Sequence, residues 1–234
     1  MFSESAELYD RIYAWKDYPA EAARVRGLVT AAGGRGGGTL LDVACGTGMH
    51  LQALREHYTV EGVDLEPGLL EAARRRLPDV PLHLGDMRDF ELGRRFDVVT
   101  CLFSAIGYTR TAAGLNAALR SMAGHLAPGG VLLVEPWFTA EMIQPGRVSA
   151  ETVEEPGLTI VRMAHMAVEG TISLLTFEYL VGHPDGITRA SELHEMGLFS
   201  REQMTAAFET AGLRVSHDEE GVSGRGAYIG VREG

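Results

Sequence analysis

Only two of the 234 residues are cysteines, Cys45 and Cys101. Neither sits in a pair with metal-ligand spacing. Two thiols so placed point to small buried core residues and exclude a disulfide framework or a zinc ribbon. No apolar run is long enough to span a bilayer, so no membrane partner is expected. The opening "MFSESAELYDRIYAW" lacks the basic patch and apolar run of a secretory signal, and a cytoplasmic location is expected. Basic stripes are missing too. "ARRRLP" (73–78) is the one dense basic cluster, placed near a helix end where it offsets the helix dipole. With a formal net charge of −11, the surface repels phosphate backbones and disfavours nucleic acid as a substrate. No catalytic triad and no cluster of metal ligands stands out.

What is present is ordinary for a globular protein: 45% apolar and 23% charged residues, enough for one α/β domain with room for a small appended subdomain. The first segment reads as an amphipathic helix capped by Ser3 or Ser5, with Leu8, Ile12 and Trp15 on one face. Asp17 and Pro19 start a second helix, and "GGRGGG" (33–38) separates both from the first strand. Strands and helices then alternate through "TLLDVAC", "MHLQALREH", "YTVEGVD", "PGLLEAARRRL", "PLHLGD", "FDVVTCLF", "TAAGLNAALRSMAGHL" and "GVLLVEPW". Unbroken apolar strands between amphipathic helices predict a parallel sheet covered on both faces. After Trp137 three strand-like runs, from "LTIVRM" to "ELHEMGLF", predict an antiparallel insert behind the fifth strand. A helix with Ser200 and Gln203 at capping-box spacing and two closing strands complete the chain.

"LLDVACGTGMH" (40–50) places two glycines where the first strand turns into a helix. Gly46 and Gly48 let the backbone approach a ligand, whereas a pyrophosphate-cradling loop wants a third glycine where Leu51 stands. Asp64 ends the second strand, placed to accept both hydroxyls of a ribose. Asp86 can accept the amino hydrogens of an adenine while Met87 N–H donates to its ring. Asp42, at the first strand's end, suits a cationic amino-acid portion. A ribose, an adenine and an amino-acid tail without phosphates describe S-adenosylmethionine. His194 can line an acceptor cleft as a candidate catalytic group. His50 and His165 read as surface or strand residues.

These motifs resemble the class I S-adenosylmethionine-dependent methyltransferases. "AELYD", "KDY", "DVACGTGMHL", "GDMRDFELGRRF", "VEPW", "LFSREQ" and the closing "SGRG" are similar, further, to bacterial nucleotide-linked amino-sugar N,N-dimethyltransferases of antibiotic biosynthesis. The resemblance implies a Rossmann-like α/β fold, with a mostly parallel seven-stranded sheet and an antiparallel β insert after the fifth strand. It implies N-terminal helices capping the cofactor (1–38), a cofactor-binding core (39–137), a β insert on the substrate or dimer side (138–199), and a closing helix and strands (200–234). It puts Tyr9 and Tyr18 over the cofactor, Ala44 and Gly46 at its methionine end, Asp64 at the ribose, Asp86 and Met87 at adenine, and Leu102 alongside. On the acceptor side it puts Tyr108 near the amine, Trp137 in a sugar pocket and Arg225 at the nucleotide phosphates. Two departures bear on the sugar end: a shorter segment between "AELYD" and "KDY", and Phe2 as the nearest aromatic where those enzymes carry a tyrosine. The partner expected is a small-molecule acceptor, with a homodimer as one option for assembly. Methyl transfer to another small amine or hydroxyl stays open. So does a nicotinamide-dependent oxidoreductase, against which Leu51 counts.

Overall fold

The computed structural model describes residues 6–234; Phe2 and the caps expected at Ser3 or Ser5 lie outside the described residues. Two helices, α1 (Ala6–Ile12) and α2 (Tyr18–Ala31), precede the sheet. The Asp17 carboxylate caps α2 by accepting from Ala20 N. The first helix is shorter than expected. Ile12 is buried, but Trp15 follows the helix end and is 70% exposed, so the expected apolar face stops at Ile12.

The main sheet has seven strands in the order β10-β11-β5-β4-β1-β2-β3. Its parallel members are β1 (Thr39–Val43), β2 (Thr59–Asp64), β3 (Leu82–Leu84), β4 (Phe96–Cys101) and β5 (Leu126–Val134). Of the closing strands, β11 (Ala227–Arg232) adds antiparallel to β5, and β10 (Leu213–Asp218) pairs antiparallel with β11, so that β11 alone runs against the other six. Side chains alternate on each strand, so β1 sends Leu40 into one core layer and Leu41 into the other. The first layer holds Val25, Val29, Leu51 and Leu54 from α2 and α3 (Met49–Leu54). The second holds Leu119 and Met122 of α5 (Ala112–Gly124) and Phe208 of α6 (Arg201–Thr210). The capping box at Ser200 and Gln203 is formed in both directions. Helix α4 (Pro67–Arg76) joins β2 to β3. The strand order reverses between β1 and β4. In sheets of this kind, the carboxyl ends of the strands open a crevice at that point.

The insert is a second sheet of four antiparallel strands: β6 (Val148–Glu155), β7 (Leu158–Glu169), β8 (Ile172–His183) and β9 (Gly186–Gly197). Three were expected. The extra strand, β6, has almost no buried position and so carries no apolar alternation to read; it is an edge held by pairing with β7. A small third cluster, Ile12, Ile160, Tyr179 and Val181, packs α1 onto this sheet. No helix among the described residues is long and apolar enough to cross a membrane.

Candidate active site

The crevice at the switch point deepens into a cavity of about 510 Å³, floored by the main sheet and walled by the second. Its first end is the turn after β1. Ala44 and Gly46 line it, with φ of +60° and +57°. A Cβ on Gly46 would meet no protein atom within 4 Å: the position opens onto the cavity. Gly48 does not line the cavity, contrary to expectation. It caps α3 at φ +79°, and a Cβ there would meet Leu77 Cδ1 at 3.1 Å and Ala73 Cβ at 3.3 Å. Its smallness therefore serves the approach of α4. The absent third glycine is also explained. Leu51 is fully buried, and the room for it comes from Gly62 on β2, where a Cβ would lie 2.7 Å from Leu51 Cδ1.

Three carboxylates end the strands and fare differently. Asp64 is buried at the wall; Oδ2 accepts from Gly46 N at 2.7 Å and Oδ1 from Glu66 N at 2.9 Å. Burial raises its pKa, opposed by those backbone bonds. Asp86 and Met87 also line the wall. The Arg88 guanidinium, with Nε 2.9 Å from Asp86 Oδ1, holds the Asp86 carboxyl below its ordinary range. Asp42, expected at the ligand, is not on the wall. It sits opposite Thr100 in the sheet register and accepts from Thr100 Oγ1 at 2.7 Å, and burial pushes its pKa up to about 6.

The N-terminal helices close this end from above. Tyr9 and Tyr13 line the cavity with ring centroids 4.7 Å apart. Asp10 ties α1 to the glycine turn by accepting from Thr47 Oγ1 at 2.5 Å, and pairs with Arg76, which also donates to Thr47 O. That role for Arg76 goes beyond the dipole compensation its sequence neighbourhood suggested. Tyr18 is expected over the ligand but does not line the cavity: it is buried edge-on against His50, 4.9 Å between centroids. His50 in turn contacts Glu21 at 2.7 Å, and Glu21 holds buried Lys16 at 2.6 Å. The Lys16 ammonium lies 4.2 Å from the ring centre of Phe103.

The far end of the cavity starts where β4 stops. Leu102 and Phe103 line it, and Phe103 and Ser104 hold left-handed φ of +51° and +63°, a strain kept at functional turns when neighbours over-determine it. Here Phe103 N donates to Glu135 Oε2 at 2.6 Å and Ser104 Oγ to Pro136 O at 2.7 Å. Arg225 reaches in from the "SGRG" loop, donates to Ser104 Oγ at 3.0 Å, and lies 5.4–5.8 Å from the rings of Phe103, Trp137 and Phe138. Trp137 is fixed by a bond from Nε1 to Ser173 Oγ at 2.9 Å. A 3₁₀ turn over Ala105–Thr109 presents Tyr108, whose hydroxyl is 2.8 Å from Nδ1 of His194 on β9. Of the fourteen residues expected at the site, eleven line one cavity; Tyr18, Asp42 and Gly48 do not. Sequence reasoning missed Tyr13, Phe103, Arg162, Phe177 and Tyr179, whose only signal is aromatic or basic character within apolar strands or just past the end of an element.

A mostly parallel sheet in this strand order, with a glycine turn open to a cavity and a buried carboxylate on the next strand, defines an S-adenosylmethionine-dependent methyltransferase. A family model described as a methyltransferase domain matches residues 40–130. Over 97% of its length the chain is 49% identical to dTDP-3-amino-3,6-dideoxy-alpha-D-glucopyranose N,N-dimethyltransferase of Streptomyces fradiae, 91% of which is covered. The crystal structure of DesVI from Streptomyces venezuelae superposes with a TM-score of 0.91 at 43% identity, over 97% of this chain and 98% of that one. CalS10 of Micromonospora echinaspora, an amino pentose methyltransferase solved with S-adenosylmethionine bound, gives 0.86 at 40% identity over 96% of each chain. The chain belongs to the family of nucleotide-linked amino-sugar N,N-dimethyltransferases, and its cofactor is S-adenosylmethionine.

Proposed function

We propose that this chain methylates the amino group of a deoxyamino sugar carried on a nucleoside diphosphate, in two successive transfers. The observation that carries this reading is a single cavity joining two unlike ends. One is a glycine turn beside buried Asp64; the other is the Arg225 guanidinium among three aromatic rings, with Tyr108 on the same cavity wall.

At the first end, Gly46 leaves the space a methionine tail would fill, and Asp64 retains lone pairs for ribose hydroxyls beyond its two backbone bonds. Asp86, Met87 and Leu102 flank the adenine in this reading. The cofactor supplies a methyl group already activated on a sulfonium. The protein must therefore hold the amine in line and neutral, and positioning of that kind is worth roughly 7–11 kcal/mol of the barrier. Tyr108 is the oxygen that meets the amine. Trp137 stacks on the sugar, and Arg225 pairs with phosphate oxygens. The second sheet excludes water by covering the acceptor with Met166, Phe177 and Met196.

The test is release of S-adenosylhomocysteine with a panel of acceptors: a dTDP-linked 3-amino sugar, its 4-amino isomer, the free amino sugars and simple amines. Turnover confined to nucleotide-linked amines, ending in the dimethyl product, supports the reading. Preference for an acceptor without phosphate, or for a hydroxyl, overturns it.

A further inference from the structure

Two transfers to one nitrogen pose a proton problem. Each transfer leaves an ammonium, and an ammonium has no lone pair for the next sulfonium. The second transfer needs a group that takes the proton. Resting on the amine reading above, we propose that Tyr108, His194 and Glu192 form a buried proton relay that deprotonates the acceptor nitrogen between the two transfers.

The chain of contacts is continuous. Tyr108 Oη is 2.8 Å from His194 Nδ1. On the other edge of the imidazole, Nε2 lies 3.4 Å from Glu192 Oε2. That same oxygen accepts from Tyr179 Oη at 3.0 Å. Glu192 and His194 are two apart on β9, so both point to the inner face of the second sheet. Cross-strand pairing sets Phe177 and Leu175 of β8 opposite them, and the Phe177 ring meets the imidazole edge-on at 5.1 Å. His194 is 2% exposed; with the Tyr108 hydroxyl donating to Nδ1, its proton sits on Nε2, the nitrogen on the side of the Glu192 carboxylate. Burial raises the pKa of the Tyr108 hydroxyl far above its ordinary value, so it stays protonated and passes a proton on without holding the charge.

The step balances. The ammonium N–H bond breaks as its proton goes to Tyr108 Oη, while the hydroxyl proton of Tyr108 goes to His194 Nδ1. The nitrogen recovers its lone pair, Tyr108 is unchanged, and the new imidazolium faces the Glu192 carboxylate. Exchange of spent for fresh cofactor opens the site to water before the next transfer, and His194 then gives up its proton. Other charged or titratable groups nearby are Tyr9 of α1 and Tyr13 just after it, Arg162 of β7, Tyr179 of β8 and Asp64 across the cavity. The Arg162 charge is met by Glu151 at 2.5 Å, and Arg110 pairs with Glu195 at 2.8 Å, so neither competes for the relay.

The test compares wild type with Glu192→Gln and His194→Asn on a dTDP-linked amino sugar, following monomethyl and dimethyl products from pH 6.5 to 9.5. Glu192→Gln keeps the shape and the bond from Tyr179 but no longer compensates an imidazolium. The expected result at pH 7 is a kcat at least about tenfold lower, with unchanged cofactor affinity and KM, and release of monomethyl product. That deficit should close as pH rises, because the amine then arrives and stays unprotonated. A deficit equal at every pH in both variants shows a packing role only and overturns the relay. So do wild-type rates and product ratios in both variants. If wild type itself transfers no methyl group to the amine, the amine reading has failed and the relay goes with it. If wild type makes the dimethyl product and the variants match it, the relay alone falls.

Discussion

Gly46 and Gly48 stand two residues apart in one turn, both left-handed, and the structure gives them different work. Replacing each by alanine separates the two roles. Alanine at 46 costs about 1–2 kcal/mol for a left-handed β-carbon and nothing for contact, since no protein atom lies within 4 Å. For a chain of this size each kcal/mol lowers the melting temperature by roughly 2–4 °C. Alanine at 48 bears the same backbone cost plus contacts at 3.1 and 3.3 Å with Leu77 and Ala73, an overpacking term of roughly 1–3 kcal/mol. Gly48→Ala should therefore melt below Gly46→Ala. Cofactor affinity should rank them the other way. The methyl group introduced by Gly46→Ala enters the space left for the ligand, so a comparable 1–3 kcal/mol appears as roughly 5–150-fold weaker binding of S-adenosylmethionine by calorimetry. Folded Gly48→Ala should bind within about threefold of wild type, well under the tenfold step of 1.4 kcal/mol. A Gly46→Ala protein that binds the cofactor normally would refute the claim that this turn borders it.

Asp64→Ala should weaken S-adenosylmethionine binding by about 1–3 kcal/mol, read by calorimetry on the folded variant; unchanged affinity removes Asp64 from the ribose. Arg225→Ala should raise KM for a sugar nucleotide by an amount equivalent to about 1.5–3 kcal/mol, with cofactor affinity untouched. The same mutation should do nothing to turnover of a free amino sugar, and a parallel loss on both substrates would argue against phosphate contact. Asp42 supplies a pH test. Its folded pKa of about 6 lies above the ordinary carboxylate value, so the stability it contributes is full below roughly pH 4 and is lost as pH rises through 6. Asp42→Asn should melt like wild type near pH 4 and above it at pH 7.5, by up to about 3 kcal/mol; a pH-independent difference would refute this.

The alternating core was legible because the central strands β1, β2 and β4 are buried on both faces and each covering helix on one. Such patterns are local and periodic. The first end of the cavity was legible for the same reason: Ala44, Gly46, Asp64, Asp86 and Met87 lie at or within three residues of strand ends, and the topology gathers strand ends at one crevice. Gly48 and Asp42 show the limit of that logic. Spacing cannot tell a glycine facing a ligand from one facing Ala73, nor a carboxylate in the cavity from one bonded to Thr100 within the sheet. Strand β6 was illegible because an exposed edge leaves no apolar signature. The link from Tyr108 to His194 was illegible because the two lie 86 positions apart and meet only through the fold of the insert.

The remaining tension is between an acidic protein and the anionic acceptor proposed for it. A charge of −11 spread over the surface is screened within about 10 Å of salt water at 0.1 M, whereas a cation in a partly enclosed cavity is screened much less. What matters is therefore which cavity cations still have charge to offer. Arg88 is met by Asp86, Arg110 by Glu195 and Arg162 by Glu151, whereas Arg147 and Arg225, also on the wall, pair with no carboxylate among the described residues. Arg225 is held instead by a neutral hydroxyl and the faces of three rings, which orient a guanidinium without cancelling it. The paired arginines shape the wall, and Arg225 keeps its donors for a ligand. Anchoring the substrate through a phosphate also leaves the nitrogen end unburdened. Binding energy drawn from the nucleotide can then hold the amine against Tyr108, where a small amine alone would have too few contacts to be fixed in line.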